Sequence, residues 1–200
     1  RISLLIGVIS ALAVTVIGTA LGVLSGYFGG WVDRVISQII NVAMAMPSLP
    51  LTIILVAFLN AGLGNLIIAI CITAWTGTAR IIRARVLQLR QLPFVRAEEM
   101  MGARGGWIML KHILPNLTDI VFIRGVMSIG SAMLTEASLS FLGMGLSSDV
   151  ISLGVLISQG KGKMDFYPWQ LFFPAAVLCI AVLAFNLLGD GLRDALDPRT

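Results

Sequence analysis

Charge is scarce in this chain. Of 200 residues, 12% are Asp, Glu, Lys or Arg and 58% are hydrophobic. An average soluble domain carries about 25% charged and about 45–50% apolar residues. That deficit excludes a disordered chain and argues against a water-soluble globule. Cysteine is scarce too. Cys71 and Cys179 each sit inside an apolar run, so they read as small buried hydrophobes and not as a disulfide framework. The single histidine, His112, has no thiolate or carboxylate close to it in sequence, so no metal site is expected. No basic leader with a short apolar core and a small-residue cleavage site is visible.

Reaction motifs are missing as well. No GxxxxGK[ST] loop is present to cradle phosphates, and Gly160-Lys161 is followed by Gly162. HExxH and GxSxG are absent. No catalytic residue is assigned, and no cofactor is expected on this chain. The arginines cluster beside the ends of apolar segments. They read as determinants of membrane topology and not as a nucleic-acid surface.

What is present is apolar length. A membrane-crossing helix needs roughly 20 apolar residues, so about five fit in this chain. Ile2 to Val32 carries no charge, and its apolar part is roughly Leu4 to Ser25. Gly18, Gly22 and Gly26 recur every four residues on one face, a spacing that lets a second helix backbone approach. Tyr27 to Arg34 is expected to be a short polar-aromatic turn. Val35 to Ala79 is charge-free for 45 residues, enough for two spans. Pro47 and Pro50 should bend or interrupt the first of these. The turn between them falls at Asn60 to Asn65. The next helix runs from about Leu66 and continues past Arg80. Pro115 to Ser140 is the fourth span, Gly143 to Tyr167 a mixed loop, Trp169 to Gly189 the fifth span, and Asp190 to Thr200 a polar tail. The expectation is an all-α, multi-pass helical membrane protein with the lipid bilayer as its solvent.

Arg80 to Lys111 holds seven of the fourteen basic residues: Arg80, Arg83, Arg85, Arg90, Arg96, Arg104 and Lys111. Basic loops stay in the cytoplasm, so this stretch is expected inside and the 143–167 loop outside. Arg34, Arg193 and Arg199 then fall on the inner side, and Lys161 and Lys163 run against the trend. Asp33 and Asp119 fall at the inner boundary. The nine methionines are scattered and read as core filler.

Two charges lie within the fourth span, Arg124 and Glu136. At 1.5 Å per residue they are about 18 Å apart and cannot pair with each other. A charge at this depth costs roughly 2.5–3.5 kcal/mol on insertion scales, so it faces a cavity or a partner. Arg124 is the candidate for a pore-lining, substrate-facing charge, or alternatively it snorkels to the inner interface. Glu136 is a second pore candidate, or a structural residue near the outer end.

Phe94 to Asn116 reads FVRAEEMMGARGGWIMLKHILPN. It is too polar to span and too periodic for a loop. Phe94, Ala97 and Met101 share a helix face, and Gly102, Gly105 and Gly106 suggest a turn between two short helices. The segment resembles the EAA loop of ABC-importer permeases: Glu-Ala-Ala, three residues, Gly, nine residues, then Ile-x-Leu-Pro. Arg96-Ala97-Glu98, Gly102 and His112-Ile113-Leu114-Pro115 occupy those positions. The departures are Arg96 for Glu, Glu98 for Ala and His112 for Ile. The stretches GYFGGWVDR (26–34), EASLSFLG (136–143) and FNLLGDGLRDALDP (185–198), with Trp75 and Ala79-Arg80, resemble the peptide/nickel permease family.

That resemblance implies the C-type permease subunit of a dipeptide or oligopeptide importer in the bacterial inner membrane. Nickel or a metal complex is the alternative cargo. It also implies a second permease subunit, two ATP-binding subunits that carry the ATP and Mg, and an extracytoplasmic substrate-binding protein. Residues 91–113 would be the coupling loop, with Arg96, Ala97, Glu98, Glu99, Met101, Gly102 and Ala103 meeting the ATPase and Gly102 first among them. Members of the family carry one more helix ahead of the point where this chain begins, so residues 1–200 read as the permease core. A secondary transporter or channel would instead show inverted repeats around a midplane site, and none is found.

Overall fold

A computed structural model describes residues 1–60, 62–147 and 149–196. They form nine α-helices, and no strand occurs among the described residues. The helices are α1 (Ile2–Phe28), α2 (Gly30–Ala45), α3 (Ser48–Leu59), α4 (Leu63–Leu89), α5 (Pro93–Met100), α6 (Gly105–Ile108), α7 (Thr118–Phe141), α8 (Leu153–Lys161) and α9 (Trp169–Leu196). A π-turn at Met109–Ile113 and a 3-10 turn at Pro115–Leu117 join α6 to α7.

Four segments are long and apolar enough to cross a membrane: α1, α4, Pro115–Phe141 and α9. A fifth crossing exists only if α2 and α3 count as one broken span, because they meet at 92°. The bend falls at Met46 and Pro47, which are extended. Pro50 interrupts nothing. It is the third residue of α3, where a helix has no use for a backbone N–H. The 27–34 turn shrinks to one residue, Gly29, with φ 65°. Tyr27 and Phe28 belong to α1, and Gly30 to Arg34 open α2. The polar tail is helical as far as Leu196, and the 143–167 loop carries the nine-residue α8. The loop's Ser148, the 60–65 turn's Ala61, and Asp197 to Thr200, including Arg199 and the end of the 185–198 stretch, lie outside the described residues.

Helices α1 and α4 run parallel in direct backbone contact. A Cβ at Gly18 would lie 2.7 Å from Thr78 Cβ, at Gly22 2.7 Å from the Ala79 carbonyl, and at Gly26 2.8 Å from Val86 Cβ. With no Cβ on that stripe the two helices close down on each other, and dispersion replaces the hydrophobic drive that lipid does not supply. Antiparallel to α1, α7 seats Met133 against Gly7. Helix α9 lies at the edge, with only Leu178 and Gly189 buried, and Gly189 takes the Met127 side chain. Met127 and Met133 thus fill gaps between helices.

Candidate functional site

The basic end of the bundle carries a hairpin, α5 and α6. Pro93 sits at the first turn of α5, where its fixed φ is favourable. Val95, Ile108 and Ile113 are fully buried and pack with Val23 and Tyr27 of α1 and Ile82, Val86 and Leu89 of α4. The hairpin is therefore rooted in the same helix pair that the glycine stripe locks together. Gly105 is seated on the Tyr27 ring, where a Cβ would approach Cε1 to 3.1 Å. Arg90 lies over the Tyr27 ring, 5.7 Å from its centroid, and 4.0 Å from the Glu99 carboxylate.

The rest of the hairpin faces outward. Met100 is 83% exposed, Met101 74% and Leu110 68%. Phe94, Arg96, Ala97, Glu99 and Gly102 are exposed, while Glu98 and Ala103 are half-buried. The face shared by Phe94, Ala97 and Met101 is thus the outward one, and Val95 points inward. Gly102 has φ 82° and ends α5, and a Cβ there would meet open space. A left-handed residue at this position is the usual glycine helix stop. Gly105 and Gly106 do not make the turn; they begin α6.

His112 is not isolated. The fold brings Glu98 Oε1 to 3.4 Å from its Nε2, although the pair lacks hydrogen-bond alignment. Trp107 meets the imidazole edge-on at 5.0 Å, and Lys111 lies over the Trp107 ring at 4.9 Å. Sequence proximity could not show the carboxylate, since α5, a turn and α6 separate the two. No group of three His, Cys, Asp or Glu side chains suited to a metal occurs among the described residues.

Asp33 ties α2 to α4 and α1. Its carboxylate accepts both Arg83 Nε at 2.5 Å and Nη2 at 2.7 Å, together with the Ser25 and Ser37 hydroxyls. Arg80, on the next turn, donates to Asn41 Oδ1 at 3.3 Å. Arg124 of α7 reaches α4 beside Gly77, where Nη2 would lie 3.8 Å from a Cβ. Its Nε is buried without a partner. Its guanidinium therefore sits six residues inward of Arg83 along α4, about 9 Å by helix rise. Glu136 is elsewhere, at the far end of α7 and fully buried. Its Oε1 accepts the hydroxyls of Ser140 at 3.0 Å and Ser152 at 2.7 Å. Ser152 caps α8 by accepting the Val155 N–H. Arg124 and Glu136 thus belong to two different sites.

The long apolar helices, the bent pair and the rooted hairpin together define a multi-pass α-helical membrane protein. The model of the family described as "Binding-protein-dependent transport system inner membrane component" matches residues 18–200, and the chain belongs to that family. It is 42% identical to the oligopeptide transport system permease protein OppC of Bacillus subtilis, over 100% of this chain and 65% of the relative. It is 41% identical to the glutathione transport system permease protein GsiD of Pectobacterium atrosepticum, over 100% of this chain and 66% of that protein. For the dipeptide transport system permease protein DppC of Bacillus subtilis the identity is 39%, over 100% of this chain and 62% of that one. The chain thus spans about two thirds of the length of these relatives. An inward-facing structure of the MetNI methionine ABC transporter superposes with a TM-score of 0.79 at 21% identity, covering 98% of this chain and 93% of that one. That likeness is one of fold.

Proposed function

We propose that this chain is a permease subunit of an ATP-driven importer of dipeptides or oligopeptides. It lines the membrane path together with a second permease subunit. Two separate subunits hydrolyse ATP, and an extracytoplasmic binding protein delivers the cargo. In this reading the basic end faces the cytoplasm of a bacterial cell, the membrane is the inner membrane, and α8 lies on the outer side.

One observation carries the reading. The α5–α6 hairpin is anchored by Val95, Ile108 and Ile113 but exposes Met100, Met101 and Leu110. Its buried side is rigidly joined to α1 and α4, and its outer side offers flexible thioethers and an aliphatic side chain to a partner. A docked ATPase would move the hairpin, and the hairpin would move the helix pair. Such switching needs two packings of the bundle and a partner that binds one of them more tightly. Arg96, Ala97, Glu98, Glu99, Met101, Gly102 and Ala103 supply the docking face.

Reconstitution tests this. The full-length protein, its permease partner, the ATPase pair and the binding protein are placed in proteoliposomes. Peptide-loaded binding protein is expected to stimulate ATP hydrolysis and drive peptide uptake. ATP-driven uptake of nickel without peptide uptake would assign the metal cargo instead. Uptake that persists without the ATPase subunits would overturn the importer reading.

A further inference from the structure

One stripe of α4 meets a polar side chain from each of three different helices. Thr73 faces Thr52 of α3, with their hydroxyls 3.2 Å apart. Gly77 faces the Arg124 guanidinium of α7. Arg80 faces Asn41 of α2. Positions 73, 77 and 80 share one helix face, so these contacts line up as one lane along α4, facing α3, α7 and α2 in turn. A pocket of about 230 Å³, lined by Ser37, Ile40, Asn41, Arg80 and Arg83, opens at its basic end.

The lane combines hydroxyl, amide and guanidinium groups with Gly77 and Ile40, and the charges that line it are of one sign. The nearby acid, Asp33, is taken by Arg83 in a two-point contact. Among the described residues, Arg80 has only the neutral Asn41 amide. Arg124 has no ion pair among the described residues, and its Nε is buried and unbonded. A guanidinium left unpaired at this depth is placed to receive an anion. Its planar fork fits a carboxylate at two points. Arg80 and Arg124 flank the same glycine turn, so a carboxylate leaving one meets the other about one helical turn away. The threonine and amide lining suits a hydrated path and not lipid chains.

We propose that Arg124 and Arg80 form a two-station relay for the free C-terminal carboxylate of the transported peptide. This rests on the peptide-importer reading. The relay gives that cargo an orientation in the membrane, carboxylate toward α4 and α7. Arg124 is a binding residue in this scheme, and the small Gly77 leaves room for the carboxylate beside it.

The test uses the complete reconstituted importer and a peptide without acidic side chains, supplied either as its free acid or as its C-terminal amide. The readout is the ratio of acid to amide uptake rates. The binding protein's own preference is the same for every permease variant and cancels. In Arg124→Gln the ratio should fall about tenfold, the loss of a charged two-point hydrogen bond. In Arg124→Lys, which keeps the charge and loses the fork, and in Arg80→Gln it should fall about threefold. A ratio unchanged in all three variants overturns the proposal, because it leaves Arg124 pairing with the partner permease or a lipid phosphate. If Arg124→Gln does not assemble, the Arg124→Lys and Arg80→Gln ratios decide in the same way. Wild-type importer that moves neither peptide form overturns the peptide reading itself, and this inference with it.

Discussion

His112 Nε2 lies 3.4 Å from Glu98 Oε1, and these are two of the three positions where the chain departs from the EAA pattern. The two departures therefore form a single contact, joining α5 to the π-turn behind it. Both side chains are about a quarter exposed, so the pair contributes no more than about 1 kcal/mol. Glu98→Ala and His112→Ile should each lower the thermal midpoint of the purified complex. The double variant should lose less than the sum of the two, because each single change removes the same contact. Strict additivity in unfolding measurements would show that the two residues act separately.

Gly102 answers to two constraints that substitutions can separate. Its φ of 82° costs an ordinary residue roughly 1–2 kcal/mol, and Asn and Asp visit that region most readily. Asn and Asp are similar in shape, so backbone strain is nearly equal for both. In the proposed importer, Gly102→Asp should insert normally, leave ATP hydrolysis by the partner subunits intact, and lower uptake by about tenfold or more, as when a central docking contact is blocked. Gly102→Asn should lose less. Normal uptake by the Asp variant would restrict Gly102 to ending a helix.

The glycine stripe makes a sharp stability prediction. A Cβ at Gly22 would come 2.7 Å from the Ala79 carbonyl and 2.8 Å from Ile82 Cβ, neither of which is the end of a flexible side chain. Gly22→Val should force α1 from α4 and destabilise by about 1–3 kcal/mol. Gly64→Ala, at a helical position with nothing nearby, should be neutral or slightly stabilising. Thermal unfolding in detergent reads both. Equal midpoints for the two variants would contradict the close approach.

Much of this architecture was legible because lipid imposes a coarse grammar. Charge-free runs marked the long helices, and the four-residue glycine spacing marked the α1 stripe. What escaped depended on three-dimensional register. The chain carries Pro47 and Pro50 three residues apart, yet only Pro47 breaks a helix, because Pro50 falls within the first turn of the next. Helix α8 hid in a loop of mixed polarity, and its cap depends on Glu136, sixteen residues earlier in the chain. At the hairpin, the periodicity of Phe94, Ala97 and Met101 was visible, but the burial of Val95 on the other side was needed to show which face is free. The α4 lane was hidden for the same reason. It is faced by three helices whose pairing with α4 no local pattern announces.

The seam at α8 also sets an order of assembly. The Leu153 N–H donates to Ser3 Oγ across 150 residues at 2.9 Å, beside the Ser152–Glu136 contact. At about 5–20 residues per second, ribosomal synthesis of that interval takes about 8 to 30 s. The start of α1 has neighbours long before that, because Ile6 packs with Leu66 and Ile70 of α4. The glycine stripe, which needs only the first 86 or so residues, closes well before. The α1–α4 pair can therefore close along its whole length before α8 exists, and the first turn of α1 is fastened from the side only when α8 arrives.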